Sequence, residues 1–298
     1  MLIKYGNRLW QLNWGHFRPK SLPKSGRPFP TYRLIGNLHI NTSSMKLSVV
    51  IPAYNEEESI TQTIQSLYQT LAKHGIDHEI CVTNDNSKDN TLAVLQQLQQ
   101  KIPSLVVFTN LGPNGFGYAV RYGLERFSGD CVAVFMADMS DDPEDLVKYY
   151  HKMLETGTDA VFGSRWQKGG RVVDYPAVKK VINRVANMII RLMMGIRYDD
   201  TTNAFKLYRR ETMEGIKPFL SPHFNLTVEL PLKAMVRGYS YEVVPNSWTN
   251  RKYGESKLKI KEMGSRYFFI LMYCLIEKHF SRGDFRKKTA KPAAVVSR

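Results

Sequence analysis

The 298-residue sequence contains little cysteine. Its three cysteines, Cys81, Cys131 and Cys274, form no CxxC pair, and its seven histidines lack the spacing of zinc ligands. These absences argue against a disulfide framework and against a metal site built on Cys and His. Because Cys81 and Cys131 lie in apolar runs typical of strands, we expect buried, reduced thiols in a cytosolic protein.

Long hydrophobic runs and nucleotide-binding fingerprints are also missing. The longest apolar run, 267–276, has ten residues, which is too short to cross a bilayer. The N-terminus lacks the uninterrupted apolar stretch of a signal peptide. Neither a GxGxxG pattern nor a Walker loop is present, so the sequence does not support a dinucleotide or ATP site.

Acidic residues are scarce at the two ends of the chain. Residues 1–46 contain eight Lys or Arg and no Asp or Glu, and residues 251–298 contain thirteen basic and four acidic side chains. The middle is nearly neutral, although the whole chain carries a net charge of +15. We predict an irregular basic extension over 1–45, a globular domain over 46–257, and a basic amphipathic helix with a tail over 258–298.

The middle of the chain alternates strand and helix patterns. Predicted strands lie at 47–53, 79–83, 105–109, 131–136 and 159–163, and predicted helices at 90–100, at 117–127 and from Pro143, with Asp142 as cap. A further helix is predicted after Asn55, which together with Glu58 resembles a capping box. This alternation predicts an α/β fold with a mostly parallel central sheet flanked by helices.

Beyond residue 163 the pattern is looser. It predicts a helix over about 176–194, a strand near 205–208, a helix near 225–236 that Pro231 kinks or divides, a strand at 241–244, and an amphipathic helix at 258–280. In the first of these helices the apolar residues share one face: Val178, Val181, Ile182, Val185, Met188, Ile189 and Leu192. In the last, Lys and Arg flank an apolar stretch, which suits either a membrane interface or core packing.

Polar residues follow four successive predicted strands. They include Asn55 and Glu56 after the first strand, Asp85 after the second, the glycine-rich 110–117 after the third, and Asp138 after the fourth. Ligands of parallel α/β sheets bind beyond the carboxyl ends of the strands, so these residues predict one binding rim. Each segment alone is also consistent with turn and cap chemistry, as at Asn86, Ser87, Asp89 and Asp142.

The order of these segments resembles a known family. IPAYNEEESI, NDNSKDNT, NGFGYAVRYG, MADMSDDPEDL and FGSRW are similar to the ordered motifs of family 2 glycosyltransferases with the GT-A fold. The branch they resemble contains dolichol-phosphate mannosyltransferases and bacterial polyprenyl-phosphate glycosyltransferases. The resemblance covers residues 46–260.

The resemblance implies roles for particular residues. Asp138 would bind Mg²⁺ or Mn²⁺, Arg165 would face phosphate, and Arg251 and Lys257 would clamp phosphates. Asn203 and Lys206 would lie on the acceptor side, within a segment where Ala204 replaces the usual glycine. The implied donor site consists of Pro52, Tyr54, Glu56, Asn84, Asp85, Gly115, Gly117, Ala137 and Asp138.

Two positions depart from the family pattern. Met136 stands where the metal-binding Asp-x-Asp element has its first aspartate, and Asn84 stands where aspartate is common. One carboxylate holds a divalent ion less well than two, although Mg²⁺ needs only one or two together with substrate phosphates. A divalent ion is therefore expected, with binding weakened by Met136.

The implied activity is inverting transfer of a sugar, such as mannose or glucose, from a nucleotide-diphosphate donor to a polyprenyl or dolichyl phosphate. Two alternatives stay open: a saccharide or glycolipid acceptor with Glu229 or an acid near Asp200 as base, and a catalytically weak nucleotide-sugar-binding partner protein. We expect a protein at the cytoplasmic face of a membrane, held by peripheral contact or by a membrane partner, with no affinity for nucleic acid.

Overall fold

The computed structural model describes residues 44–251 and 260–287, with side chains from 264 onward in the second range. The nine strands of these residues are β1 Leu47–Ala53, β2 His78–Asn84, β3 Leu105–Thr109, β4 Cys131–Val134, β5 Ala160–Ser164, β6 Arg171–Val173, β7 Lys206–Arg209, β8 Tyr241–Pro245 and β9 Ser247–Thr249. Their helices are α1 Ile60–Lys73, α2 Thr91–Gln99, α3 Phe116–Leu124, α4 Pro143–Thr156, α5 Ala177–Met194, α6 Arg210–Gly215, α7 Leu226–Val236 and α8 Ile260–Phe280.

Seven of the strands form one mixed sheet in the order β3-β2-β1-β4-β7-β5-β8. All adjacent pairs are parallel except those that involve β7, which is antiparallel to both β4 and β5. One apolar cluster packs α1, α2 and α4 against one face of the sheet, and a second packs α3, α6 and α7 against the other. The predicted α/β architecture with a mostly parallel sheet is confirmed.

The order of the strands reverses beside β1. From β1 the chain adds β2 and then β3 on one side, whereas β4 pairs with β1 on the other side. Open α/β sheets bind ligands in the crevice at such a switch point, beyond the carboxyl ends of the strands. The loops after β1, β2 and β4 therefore meet at the place where a binding site is expected.

The predicted start of the first helix is wrong. Helix α1 begins at Ile60, and Asn55 has a positive φ of 52°, so it cannot cap that helix. Instead the Asn55 side chain accepts a hydrogen bond from the backbone N–H of Lys88 at 2.8 Å, and its own N–H donates to Ser87 Oγ at 3.1 Å. Asn55 thus joins the loop after β1 to the loop after β2. By contrast, the predicted cap Asp142 of α4 is confirmed, since it accepts from the N–H of Glu144 at 3.0 Å.

The sequence pattern missed a two-stranded parallel sheet made of β6 and β9. Strand β9 is fixed to the loop after β4, because the Thr249 N–H donates to the Ser140 carbonyl at 3.0 Å. The Asp145 carboxylate also accepts from the Ser247 N–H at 2.6 Å. Three residues are too few to show a hydrophobic period, so the sequence does not reveal β9. Arg251 follows β9 and lies at the carboxyl ends of the strands of the main sheet.

The predicted helices 176–194 and 258–280 are present as α5 and α8. Helix α8 packs against α7 and α5 through Ile270, Leu271 and Cys274, which are buried in a third apolar cluster. The shared apolar face of α5, in contrast, is exposed to solvent. Within the described part of the chain, no helix combines the length and the apolar character that a bilayer crossing requires.

All three cysteines are free and buried, as predicted. Burial raises the pKa of each thiol, Cys81, Cys131 and Cys274, to about 12. Because the thiolate is the reactive form, these side chains act as small apolar groups.

A buried carboxylate makes the stability of the fold depend on pH. Burial alone would raise the pKa of Glu79, but hydrogen bonds from Ser128 and Ser48 and the charge of Lys46 lower it to about 2. Because the folded-state pKa lies below the unfolded value, this stabilisation is present above about pH 4.5 and is lost as the pH falls towards 2.

Replacement of Glu79 should weaken this dependence on acid. Between pH 6 and pH 3 the wild-type free energy of unfolding should fall by about 2 kcal/mol more than that of Glu79→Gln. Urea unfolding at both pH values measures the difference. The control Glu155→Gln removes an exposed carboxylate on α4 and should follow the wild type. Equal slopes for Glu79→Gln and wild type would contradict the assignment.

Candidate active site

A cavity of about 370 Å³ opens at the switch point of the sheet. This volume lies within the range of small-molecule sites in proteins. Its walls come from the loops after β1, β2 and β4, from the start of α3, and from the segments before α7 and after β9. The lining residues are Pro52, Ala53, Tyr54, Glu56, Asp85, Asn114, Gly115, Phe116, Ala119, Met136, His223, Phe224, Arg251 and Arg266.

Arg251 joins two carboxylates at the mouth of the cavity. Its guanidinium lies 2.6 Å from Asp138 Oδ2 and 3.8 Å from Glu56 Oε1. Asp138 is almost fully buried, and its other oxygen accepts from the Ser140 N–H at 3.1 Å. Glu56 also accepts from Ser59 Oγ at 3.0 Å. The structure therefore brings Glu56, Asp138 and Arg251 together, although they are far apart in the sequence.

Asp85 is fixed in the wall of the same cavity. Its two oxygens accept from the Asn110 side-chain amide at 2.7 Å and from the Gly115 N–H at 2.8 Å. The carboxylate thus orders the glycine-rich segment. Asn84, just before it, is buried at the end of β2, and its side-chain oxygen accepts from the Ser87 N–H at 3.3 Å. Asn84 therefore shapes the loop that carries Asp85 and lies behind the cavity wall.

Two glycines allow a close approach between α3 and the segment before α7. Gly115 has a φ of +153°, and a Cβ there would lie 2.8 Å from the Pro222 carbonyl oxygen. A Cβ on Gly117 would lie within 2.6 Å of backbone atoms of Ser221 and His223. Only glycine fits at these positions without a backbone shift. In the structure both glycines position this wall of the cavity.

The loop after β4 contains the three residues that correspond to the expected Asp-x-Asp element, Met136, Ala137 and Asp138. Met136 lines the cavity, whereas Ala137 is buried and its carbonyl accepts from Thr63 Oγ1 at 2.9 Å. The Asp141 carboxylate accepts from the Met136 N–H at 3.0 Å and so closes the loop. Burial, together with the neighbouring Asp138 charge, raises the pKa of Asp141 to about 7.

Arg165 follows β5 and is buried in an ion pair. Its guanidinium donates to the two Asp200 oxygens at 2.8 and 2.7 Å, and its backbone N–H donates to the same carboxylate at 3.0 Å. Burial opposes the charged form, but Asp200 raises the pKa of Arg165, so the pair is ionic. The predicted contact between Arg165 and phosphate remains a prediction, since the guanidinium is directed to Asp200 here.

The two predicted acceptor-side residues are buried beneath the surface. Asn203 donates to the Gly163 carbonyl at 3.2 Å and to the Asn246 side chain at 3.2 Å. The Lys206 ammonium donates to the carbonyl oxygens of Thr201, Asn203 and Thr227, and burial lowers its pKa to about 7. Both side chains fix the backbone of the 200–203 segment. Lys257 lies outside the described residues.

Sequence reasoning missed three residues of the cavity wall, His223, Phe224 and Arg266, and gave no role of its own to Phe116 in the predicted glycine-rich segment. Phe116 and Phe224 stack at 4.3 Å between ring centroids, and both line the cavity together with His223 and Arg266. Arg266 comes from α8, which the sequence assigned to the basic tail region. A single aromatic or basic residue near a predicted helix start does not indicate that it lines a cavity. These residues reach the cavity only through the long-range packing of α7 and α8.

The donor set at Asp138 fits a divalent ion that arrives with a diphosphate. Among the side chains that the structure describes, no three His, Cys, Asp or Glu residues form a metal-holding group. Mg²⁺, however, is commonly held by one or two carboxylates with substrate phosphate oxygens. Asp138 pairs with Arg251, which lines the cavity, so its carboxylate would present a hard oxygen ligand beside the cavity, and Arg251 and Arg266 suit phosphate groups.

Two curated relatives are similar over most of the chain. A dolichol-phosphate mannosyltransferase of Pyrococcus furiosus is 35% identical over 221 residues, which cover 73% of this chain and 60% of the relative. A polyprenol monophosphomannose synthase of Mycolicibacterium smegmatis is 31% identical over 218 residues, which cover 70% of this chain and 80% of the relative. The chain thus spans less than two thirds of the length of the Pyrococcus relative.

Solved structures share the fold. Glucosyl-3-phosphoglycerate synthase of Mycobacterium tuberculosis, in complex with Mn²⁺, UDP and phosphoglyceric acid, has a TM-score of 0.59 and 20% identity. The match covers 78% of this chain and 80% of that one. The same enzyme with Mg²⁺ and UDP has a TM-score of 0.56 and 19% identity over 80% of each chain. This likeness confirms the predicted GT-A fold.

The motifs quoted above fall within one family domain. The domain described as Glycosyl transferase family 2 matches residues 48–216, which include β1 to β5, the switch point and the Asp138 loop. Together with relatives of more than 30% identity, this match confirms the resemblance seen in the sequence. The chain belongs to glycosyl transferase family 2.

Proposed function

We propose that the protein transfers a sugar from a nucleotide-diphosphate donor to a polyprenyl phosphate at the cytoplasmic face of a membrane. The observation that carries the proposal is the arrangement of Glu56, Asp138 and Arg251 around one cavity at the switch point of a GT-A sheet. The two relatives described above, a dolichol-phosphate mannosyltransferase and a polyprenol monophosphomannose synthase, support this acceptor class.

The carboxylates and apolar residues of the cavity wall suit a nucleoside. Asp85 and Glu56 present carboxylate oxygens, which accept hydrogen bonds from a base N–H or from ribose hydroxyls. Pro52 and Tyr54 and the stacked Phe116 and Phe224 supply apolar surface. Pockets of this type bind through apolar walls and a few fixed polar groups.

The mouth of the cavity suits the diphosphate. Arg251 and Arg266 line it and carry fixed positive charge toward the place where leaving-group charge develops. Asp138 would hold a Mg²⁺ or Mn²⁺ ion, which when bound polarises phosphate oxygens as a Lewis acid. The fold neighbour from Mycobacterium tuberculosis forms complexes that contain Mn²⁺ or Mg²⁺, which supports a divalent ion here.

The burial of two candidate bases, Glu229 and Asp200, favours a phosphate acceptor over a saccharide. A phosphate monoester has its second pKa near 6, so its oxygen is already ionised at neutral pH and needs positioning rather than deprotonation. A saccharide hydroxyl would need a general base. Glu229 is fully buried and paired with Lys233 at 2.6 Å, and Asp200 is fully buried and paired with Arg165. Neither of these two carboxylates reaches an acceptor. Asp199, the neighbouring acid, is partly exposed and accepts from Ser164 Oγ at 2.7 Å, so it is the acid near Asp200 on which the saccharide alternative depends.

Incubation of the purified chain with polyprenyl phosphate, Mg²⁺ or Mn²⁺ and a panel of labelled nucleotide sugars tests the proposal. We expect label in an organic-soluble lipid that mild acid releases, with GDP- and UDP-linked hexoses tested in parallel, and no label when a chelator replaces the metal. Label in a base-stable saccharide would support the alternative acceptor. Tight donor binding without transfer for every sugar would support a catalytically weak binding protein, in agreement with Met136 and Asn84.

A further inference from the structure

The outer face of α5 is apolar and exposed. Its seven large apolar residues have exposed fractions between 41% and 75%: Val178, Val181, Ile182, Val185, Met188, Ile189 and Leu192. At about 100° per residue these positions fall within an arc of about 120°. Soluble proteins rarely leave so large a contiguous apolar patch uncovered without a binding role for it.

The opposite side of α5 explains why the helix is held in place. Ile190 and Met194 are buried against α7 and α8. Asn183 and Asn187 both donate to Thr202 Oγ1, at 2.7 and 3.0 Å, and the Thr202 N–H donates back to Asn187 at 3.3 Å. The inner side of α5 is therefore packed and hydrogen-bonded to the rest of the fold. The exposed side makes no contribution to the core.

Positive charge borders the apolar arc. The helix contains Lys179, Lys180, Arg184 and Arg191 and no acidic residue. On the helical wheel Lys179 lies beyond one edge of the arc, and Lys180, Arg184 and Arg191 lie beyond the other. An apolar face bordered by Lys and Arg is the pattern of a helix that lies in a membrane interface, with its apolar side chains among the acyl chains.

We propose that this face of α5, defined by the seven apolar residues above, binds the surface of an anionic lipid bilayer. The charges favour a lipid bilayer over two protein occupants of this face, a second copy of the chain and the N-terminal residues 1–46. A symmetric dimer through this face would bring cationic helices together with no acid on α5 to pair with them. The N-terminal residues 1–46 carry eight basic and no acidic side chains, so they also repel these borders.

The apolar face of α5 lies close to the segment 200–203. The side of α5 that faces inward holds the 200–203 segment, which contains the Asp200 partner of Arg165. One helix diameter, about 10 Å, therefore separates that segment from the proposed lipid surface. This link to a lipid-phosphate acceptor rests on the proposed function, whereas the membrane site itself does not. The 267–276 stretch of α8, for which the sequence left a membrane interface and core packing open, buries Ile270, Leu271 and Cys274 and exposes Phe268, Phe269 and Ile276.

Flotation of the full chain with vesicles tests the inference. Vesicles of phosphatidylcholine with 30% phosphatidylglycerol should carry the wild type, and vesicles of phosphatidylcholine alone should carry much less. Val181→Gln/Leu192→Gln should weaken partition to the anionic vesicles by about tenfold or more, because two apolar side chains no longer insert. Lys179→Gln/Arg191→Gln should reduce the preference for the anionic lipid. Leu111→Gln, which changes another highly exposed apolar residue, should bind as the wild type does.

Two outcomes would overturn the inference. One is equal vesicle binding by the wild type and Val181→Gln/Leu192→Gln. The other is a wild-type dimer, seen by light scattering without lipid, that the same substitutions convert to monomer. Transfer to a short-chain, water-soluble prenyl phosphate separates this test from the proposed function. The face variants should keep that activity, and its absence in the wild type despite normal vesicle binding would count against the function alone.

Discussion

Asp138→Asn should abolish most sugar transfer while the protein stays folded. We expect kcat to fall by about a hundredfold to a thousandfold, the cost of removing one preorganised electrostatic group from a transfer site. The substitution keeps the size of the side chain and its acceptor for the Ser140 N–H, but it removes the negative charge. Steady-state transfer at saturating donor, together with far-UV circular dichroism, measures both effects.

The size of this effect follows from the composition of the site. Met136 offers no side-chain oxygen at the position where the family pattern has aspartate, so under the proposed function metal binding at this loop would depend on Asp138. Asp138 also fixes Arg251 at 2.6 Å. Under the proposed function, loss of this one charge would weaken the binding of a divalent ion and would also release the arginine proposed to face the diphosphate. The half-saturating Mn²⁺ concentration should rise at least about tenfold in the variant.

Asp142→Asn is the matched control for this experiment. It makes the same chemical change four residues along the same loop, at the exposed N-cap of α4. Asparagine caps helices as well as aspartate does, so stability and transfer should both stay close to the wild type. Undiminished turnover in Asp138→Asn would remove this carboxylate from the mechanism.

The comparison with the sequence shows which parts of the site local patterns can predict. The loops after β1, β2 and β4 were predictable because parallel strands end at one edge of a sheet, so residues that directly follow each strand must be neighbours. For this reason Glu56 and Asp85 line one cavity, and Asp138 pairs with Arg251 in the wall of the same cavity. The number of residues between these carboxylates does not indicate that they are neighbours. Their position directly after parallel strands does.

Residues placed by long-range packing could not be predicted from local patterns, and for one of them, Arg251, only the family resemblance indicated a role. Arg251 reaches the cavity through β9, whose three residues pair with the distant β6, and Arg266 reaches it because α8 packs on α7. Phe224 depends on the close approach that Gly115 and Gly117 permit. In each case the deciding contact joins segments that are far apart in sequence, so no local period records it.

The exposed face of α5 illustrates a different limit. Its apolar residues recur with the helical period, and a period has the same form whether the face meets a core or the solvent. The Asn55 segment shows a similar ambiguity, since Asn followed by Glu at the third position suits a capping box but here serves a loop-to-loop contact. Side-chain chemistry is common to both uses, and only the backbone conformation separates them.

Asp200→Ala should cost about 3–5 kcal/mol of folding free energy, because it leaves the Arg165 guanidinium buried without its partner. The pair is almost completely enclosed, with side-chain exposures of 7% for Arg165 and 0% for Asp200. Three hydrogen bonds join the two residues and tie the end of β5 to the 200–203 segment. Thermal unfolding should show a loss of about 6–20 °C relative to the wild type.

The double variant Arg165→Met/Asp200→Leu completes the argument, because two well-packed apolar side chains leave no unpaired charge and should recover most of the lost stability. Together with the single variants Arg165→Met and Asp200→Leu, a double-mutant cycle then gives a coupling energy well above the few tenths of a kcal/mol seen for independent sites. If the double variant is stable but inactive, Arg165 contributes charge to the reaction as well as holding its loop, in agreement with the phosphate contact implied by the family motif. If it is stable and fully active, Arg165 serves the fold alone. A loss of less than about 1 kcal/mol in Asp200→Ala would show that the segment is held by its other contacts, chiefly those of Asn187 and Lys206, and not by this ion pair.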